Sequence, residues 1–187
     1  LLKNKGGLLP LDPAARVAVI GDFADKPRYQ GAGSSLVNAP RVDSFRQVFE
    51  ASGLRCAGYA KGFDRNGRPD PALQAEAVSL AEQADVVLLF LGLDEVKETE
   101  GLDRSDMKLA QNQIDLLLAV HRANPRLVVV LSCGSAVETG WASHCQALVW
   151  AGLSGQAGAG AVLDVLTGKV NPAGRPAETW PLHCGGN

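Results

Sequence analysis

The residues best suited to chemistry form one acidic segment. Six carboxylates stand within thirteen residues: Asp94, Glu95, Glu98, Glu100, Asp103 and Asp106. A carboxylic acid held beside an apolar surface can have the raised pKa that a general acid needs, so this segment can supply acid/base chemistry. Gly101 permits a sharp backbone turn beside Glu100, and Asp103 is expected to pair with Arg104 and fix the loop. A solvated acidic loop without chemistry is the alternative interpretation from composition alone.

Two glycine-rich segments raise the possibility of nucleotide or anion binding. Residues 31–35 read Gly-Ala-Gly-Ser-Ser, but Leu36 stands where a dinucleotide fingerprint needs its third glycine. Residues 155–158 could present backbone N–H groups to an anion at the start of a helix, or form a close-packed turn. A nucleotide-binding domain of flavodoxin-like type is therefore a weaker alternative.

The histidines and cysteines are scattered and form no metal-binding pattern. The sequence has three histidines and four cysteines, with neither Cys-x-x-Cys nor His-Glu-x-x-His spacing. We therefore expect no metal, no cofactor and no disulfide framework. Cys56 and Cys133 lie in apolar stretches and are expected to be small buried hydrophobic residues.

Composition favours one globular domain. The chain has 187 residues, of which 46% are hydrophobic, and its net charge is −2. The near-neutral charge argues against a nucleic-acid partner, and no apolar run approaches the roughly 20 residues that span a bilayer. Because the sequence begins at Leu1 rather than Met and shows no signal peptide, we expect either a processed start or a piece of a longer chain.

Apolar runs typical of strands alternate with segments of helical periodicity. Strands are expected at 16–20, 54–57, 85–91, 127–131 and 147–150, and helices at 42–52, 70–84, 109–123 and after the turn at 152–160. This alternation predicts an α/β fold, with a single open, mostly parallel sheet of about five to six strands and helices on both faces.

The predicted sheet gives the acidic segment its place. Ligands of open α/β sheets bind outside the carboxyl ends of the strands, which directs attention to loops 21–38, 92–108, 132–141 and 151–158. The acidic segment follows run 85–91, which is apolar at both parities as a central parallel strand would be.

Five segments in this order resemble the C-terminal α/β domain of glycoside hydrolase family 3, in its β-glucosidase branch. The resemblance covers essentially all of residues 1–187, which are therefore expected to form one such domain. The segments are Leu1–Asn4 with Leu8–Leu11, Lys26–Ser35, Glu98–Arg104, Gly134–Glu138 with Trp141, and Gly168–Arg175 with Glu178–Pro181.

The resemblance implies a role for particular residues. Members of the family hydrolyse β-linked glycosides with retention, using an Asp nucleophile on a TIM-type barrel and a Glu acid/base on the α/β domain. Matching Glu-Gly-x-Asp-Arg places the acid/base at Glu100, with Glu98 as the fallback. Asp103 and Arg104 are expected to hold the loop in shape. The expected rim of the sugar site comprises Tyr29, Gln30 and Ser34.

This sequence contains neither the barrel nor the fibronectin-like domain that follows in this branch. The resemblance therefore implies one catalytic half, whose partners are a β-glucoside and a barrel that supplies the Asp nucleophile. In a retaining site the two carboxyl groups stand about 5–5.5 Å apart, so loop 92–104 has to reach over the barrel mouth. The alternative is a noncatalytic carbohydrate-binding or interaction domain of the same fold.

Overall fold

A computed structural model describes residues 1–185, and within them six strands and five α-helices form the fold. The strands are β1 (Lys3–Asn4), β2 (Val17–Ile20), β3 (Cys56–Ala60), β4 (Val86–Gly92), β5 (Leu127–Ser132) and β6 (Ala147–Trp150). The helices are α1 (Asp22–Asp25), α2 (Phe45–Glu50), α3 (Pro71–Glu82), α4 (Gln111–Ala123) and α5 (Gly158–Leu166), with a 3₁₀ helix at Gly140–His144. None of these helices has the length and apolarity required to cross a membrane.

The strands form one open sheet in the order β1-β6-β5-β4-β2-β3. All neighbours are parallel except β1, which pairs antiparallel with β6. The predicted single, mostly parallel sheet is confirmed. From β2 the chain goes to β3 at one edge of the sheet, whereas from β4 it goes on to β5 and β6 toward the other edge. The crevice at the carboxyl ends of β2 and β4 is therefore the topological switch point, where such sheets bind ligands.

The helices cover the sheet as two groups, as predicted. Helix α3 packs on α4, while α2 packs on α5 and α1. Every residue of β4 is buried, because this central strand has neighbours on both sides and helices on both faces. Phe90 of β4 lies 4.5 Å from Phe45 of α2, measured between ring centroids.

Local signals explain where the helices begin. Asp70 caps α3 by accepting hydrogen bonds from the N–H groups of Ala72 and Leu73, and Pro71 takes the first helical position, as expected. Helix α2 is shorter than the predicted 42–52, because the Ser44 hydroxyl accepts from the Gln47 N–H and starts the helix at Phe45.

The second strand differs most from its prediction. It spans Cys56–Ala60 rather than 54–57, and it forms an edge of the sheet. Cys56 is exposed, so its predicted burial is wrong, whereas Cys133 is buried as expected. Cys56 is the first residue of this edge strand, beside the point where its pairing with β2 shifts register, and this end of the strand is exposed.

Candidate functional site

The loops after four parallel strands meet above the carboxyl edge of the sheet, where the sequence predicted the site. The Tyr29 carbonyl accepts a hydrogen bond of 2.9 Å from the Gly155 N–H, which joins the loops after β2 and β6. The Glu138 N–H donates to the Met107 carbonyl over 2.8 Å, which joins the loops after β5 and β4. The acidic segment therefore lies within a connected set of loops.

Glu98 is held from one side by Arg28, on the loop after β2. The side chain of Arg28 is 1% exposed and that of Glu98 is 17% exposed, so the pair is largely shielded from water. Arg28 Nη1 lies 2.5 Å from Glu98 Oε2, and its Nη2 donates to the Glu98 carbonyl over 2.5 Å. Nη1 also donates to the Leu93 carbonyl over 3.1 Å. One guanidinium thus pins both ends of segment 93–98.

Glu98 is held from the other side by the loop after β5. Its Oε1 accepts from Ser135 Oγ over 2.5 Å, and its Oε2 accepts from the Gly134 N–H over 2.9 Å. Burial raises the pKa of Glu98, but the hydrogen bonds from Ser135, Gly134 and Arg28 outweigh burial and hold that pKa below its ordinary value. Glu98 is consequently an ionised carboxylate that joins three loops.

Glu100, the expected acid/base, has a different environment. It is exposed, and its Oε2 accepts hydrogen bonds from the Ser34 N–H, over 2.9 Å, and from the Ser34 hydroxyl. Gly33 allows this approach, because a Cβ there would stand 2.9 Å from the Glu100 Cβ. Gly101, at a φ of 81°, provides the expected turn after Glu100.

The pKa of Glu100 moves in the direction opposite to the one a general acid needs. Hydrogen bonds from the hydroxyl and then the backbone N–H of Ser34 hold the pKa of Glu100 below its ordinary value. The sequence suggested a raised pKa only for a carboxylic acid held beside an apolar surface. Glu100 is exposed in this chain, so its ionised form stays solvated and that condition is not met.

Arg104 supports the turn without the expected ion pair to Asp103. Arg104 Nη1 donates to Ser135 Oγ over 2.8 Å and to the Ala136 carbonyl over 3.1 Å. Asp103 is exposed and takes part in no ion pair among residues 1–185. The ion pair does not form because the half-buried Arg104 guanidinium binds fixed acceptors on the neighbouring loop, while the Asp103 carboxylate is exposed to water.

Tyr29 and Gln30 shape the loop that carries Ser34. Gln30 Nε2 donates to the Tyr29 hydroxyl over 2.8 Å and to the Val37 carbonyl over 3.1 Å. Gln30 Oε1 accepts from the Val37 N–H over 2.9 Å. These bonds close the loop around Ser34, so the three predicted rim residues lie together and one of them reaches Glu100.

Three further carboxylates of the segment, those of Asp94, Glu95 and Asp106, also have partners. Asp94 Oδ1 accepts from the N–H groups of Val96 and Lys97. Asp106 accepts from the Lys108 N–H over 2.8 Å, and Glu95 lies 3.5 Å from Arg65. With Glu98 and Glu100 also engaged, the segment is an ordered structure and not the freely solvated loop that composition alone suggested.

Sequence reasoning missed three residues with structural contacts at this edge. Arg28 and Ser135 lie in the segments that carry the family resemblance, but neither drew a role. Asp22 is the second residue after β2 and is buried, and its Oδ2 stands 2.5 Å from Arg65 Nε. An acidic residue close to the end of a buried strand was the available signal for Asp22. The place of Arg28 becomes evident only from its contact with Glu98.

The glycine-rich turn before α5 is close-packed. The Gly155 N–H already donates to Tyr29, and the Gly158 N–H donates to the Gly155 carbonyl. A Cβ at Gly158 would stand 1.9 Å from Ser154 Oγ. The packed-turn interpretation is therefore the better of the two for this segment. Across residues 1–185, no cluster of three or more His, Cys, Asp or Glu side chains is arranged to hold a metal ion.

Comparison with known families identifies a match over the whole chain. A family model described as the glycosyl hydrolase family 3 C-terminal domain matches residues 1–187. An exo-α-(1→6)-L-arabinopyranosidase of Bifidobacterium breve is 43% identical, over 97% of this chain and 25% of its own length. The thermostable β-glucosidase B of Acetivibrio thermocellus is 40% identical, over 100% of this chain and 25% of its own.

Comparison with solved structures agrees. The crystal structure of a family 3 β-glucosidase from Bifidobacterium adolescentis matches with a TM-score of 0.93 and 44% sequence identity, covering 98% of this chain and 27% of that one. The chain thus spans about a quarter of the length of the curated relatives it matches. These relatives are glycoside hydrolases.

Proposed function

Because the chain belongs to glycosyl hydrolase family 3, as a C-terminal domain of that family, we propose that it carries the general acid/base of a retaining β-glucosidase. The nucleophile would be an Asp on a TIM-type barrel. In this proposal Glu100 is the acid/base, and the substrate is a terminal β-linked glucosyl residue of a glycoside or oligosaccharide.

The observation that carries the proposal is the contrast between two carboxylates two residues apart. Glu98 is enclosed by donors on three sides, whereas Glu100 projects from the same ordered turn into the open, with Ser34 as its partner. A carboxylate that reaches over a second domain has to be both exposed and well positioned. Glu100 meets both conditions, and Glu98 meets only the second.

Exposed apolar side chains on the two loops that carry Ser34 and Glu100 support a covering domain. Four of them are between 63% and 78% exposed: Leu36, Val37, Val96 and Leu102. Large exposed apolar side chains can mark interaction surfaces. A barrel seated on these loops would bury them and exclude water from the Glu100 carboxylate.

Such a covering domain would also raise the pKa of Glu100, as a general acid requires. Enclosure of a carboxylate in a poorly solvated space disfavours its charged form and raises its pKa. Substrate binding would in addition draw Glu100 from Ser34 toward the glycosidic oxygen. The protonated acid would then protonate the leaving group, and the resulting carboxylate would activate the water that releases the sugar.

The decisive experiment replaces Glu100 with Ala in the full-length protein to which we assign this domain. We expect turnover of aryl β-glucosides with poor leaving groups to fall about 10²–10⁴-fold, since acid assistance is lost. Substrates with good leaving groups should lose much less in the glycosylation step. Because one relative is an arabinopyranosidase, aryl α-L-arabinopyranosides belong in the same assay.

Asp103→Asn is the matched control, because this carboxylate lies in the same turn, is exposed and forms no ion pair among the described residues. It should leave turnover nearly unchanged. If Glu100→Ala behaves like Asp103→Asn, Glu100 is not the acid/base, and a noncatalytic carbohydrate-binding or interaction domain becomes the better assignment.

A further inference from the structure

Both ends of the turn that carries Glu100 converge on one hydroxyl group. Ser135 Oγ donates to Glu98 Oε1 over 2.5 Å and accepts from Arg104 Nη1 over 2.8 Å. A serine hydroxyl has one donor and two acceptor sites, so it can make both bonds at once. The hydroxyl therefore closes residues 98–104 into a loop, with Glu100 between its two fixed ends.

Ser135 is itself firmly placed. Its neighbour Gly134 donates its N–H to Glu98 Oε2 over 2.9 Å, and its neighbour Ala136 accepts from Arg104 over 3.1 Å. The Ala136 N–H donates to Glu178 Oε1 over 2.9 Å. The hydroxyl thus stands on a backbone segment held by contacts in several directions, three residues after the end of the buried strand β5.

We propose that Ser135 is a positioning residue for Glu100, which it orients by joining Glu98 to Arg104. The inference rests on the proposed function, because it assigns Ser135 a part in the reaction attributed to Glu100. Among the described residues no hydrogen bond joins Ser135 to Glu100, so Ser135 would act through the two ends of the turn. Its removal should misdirect the acid/base without removing it.

The fold should survive the loss of this hydroxyl. Without Oγ, Glu98 keeps its bonds to Arg28 and Gly134, and Arg104 keeps its bond to the Ala136 carbonyl. What is lost is the link between the two ends of the turn. Ser135→Ala therefore separates positioning from folding, and Ser135→Thr restores a hydroxyl at the same place.

The first test measures order in the turn of this chain. Ser135→Ala should raise the amide hydrogen-exchange rates of residues 99–103 and speed tryptic cleavage after Arg104, and Ser135→Thr should reverse both changes. Ser143→Ala removes an exposed hydroxyl from the 3₁₀ helix and should change neither. Unchanged exchange and cleavage in Ser135→Ala would overturn the proposal. If Ser135→Ala fails to fold, Arg104→Gln breaks one half of the same link and is judged by the same readings.

The second test measures the reaction in the full-length protein. Ser135→Ala should lower kcat/KM, which reports the glycosylation step, about 10- to 100-fold for aryl glycosides with poor leaving groups and much less for good ones, with rescue by Ser135→Thr. An equal loss for all leaving groups, or none, would overturn the positioning role. The proposed function itself is tested separately by Glu100→Ala. If that variant keeps full turnover, the proposed function fails, whatever Ser135→Ala does.

Discussion

At the scale of single residues, the acidic segment shows how two neighbouring carboxylates are given different tasks. Glu98 accepts hydrogen bonds from Arg28, Gly134 and Ser135, while Glu100 is exposed and accepts from Ser34 alone among the described residues. Sites that need two roles from one residue type separate them by environment. Here Glu98 joins three loops, and Glu100 has the exposure that its proposed role as acid/base requires.

Replacing Glu98 with Gln should destabilise the chain. The Arg28 side chain is 1% exposed, so its charge would be left buried without its partner, at a cost of about 3 kcal/mol in the free energy of unfolding. Urea denaturation measures the change. Asp43→Asn is the control, since its partner Arg41 is 84% exposed and the loss should stay below about 1 kcal/mol. Equal effects of the two variants would contradict a structural role for the Arg28–Glu98 pair.

The same carboxylate should make stability depend on pH in a definite direction. Its pKa is lowered in the folded chain, so its stabilising contribution is complete above the unfolded pKa of about 4.3 and is lost as pH falls through the lower folded pKa. Below about pH 4.3, the free energy of unfolding of the native chain should therefore fall more steeply than that of Glu98→Gln. Glu100 and Asp106 titrate in both proteins, so the difference isolates Glu98. Parallel curves would be the contrary result.

At the scale of elements, helix α4 completes the end of β4 from which the acidic segment departs. Strand β2 pairs with β4 only as far as Leu89, so Gly92 lacks a strand partner on that side. The buried Gln113 side chain takes that place: its Oε1 accepts from the Gly92 N–H and its Nε2 donates to the Gly92 carbonyl, each over 2.9 Å. One side chain thus extends the hydrogen-bond ladder to the edge of the site.

Gln113→Leu should therefore cost at least about 2 kcal/mol in the free energy of unfolding, because two buried backbone groups lose their partners. Gln111→Leu is the control on the same helix, where the side-chain amide is exposed and donates a hydrogen bond to Asp115. Denaturant unfolding of both variants provides the comparison. Similar stabilities would mean that the end of β4 does not depend on Gln113.

The elements that could be predicted from sequence are those with strong local signals. The continuous apolar run that became β4 and the Asp70-Pro71 start of α3 were placed within a residue or two. Strand β3 was misplaced, because its pairing slips beside Cys56 and most of its residues are only partly buried, so its apolar pattern is weak. Strand β1, with two residues, is too short for any periodicity.

At the scale of the whole molecule, the sequence predicted which loops form the site but not how they are joined. The carboxyl edge follows from the strand pattern alone. The Arg28–Glu98 pair joins residues seventy positions apart in the sequence. Arg104 bonds to Ser135 and not to the adjacent Asp103, because the loop that carries Ser135 lies opposite its guanidinium. Contacts of this kind are set by tertiary packing and have no signal in local spacing.

The chain by itself should turn over no aryl β-glucoside, because the proposed nucleophile lies on another domain and Glu100 stands in open water. Incubation of the pure 187-residue chain with a substrate carrying a good leaving group tests this expectation. The anomeric configuration of the first product shows whether hydrolysis proceeds with retention. Hydrolysis with retention would contradict the expectation, because the chain would then hold a complete site.

The assignment of Glu100 is tested most directly by azide with the Glu100→Ala and Glu98→Ala variants of the full-length protein. A retaining enzyme without its acid/base forms the glycosyl-enzyme from a substrate with a good leaving group but cannot activate water to release it. Azide needs no such activation. Azide should therefore restore turnover of Glu100→Ala and yield a β-glycosyl azide, while Glu98→Ala should give none. A β-glycosyl azide from Glu98→Ala and not from Glu100→Ala would contradict the assignment.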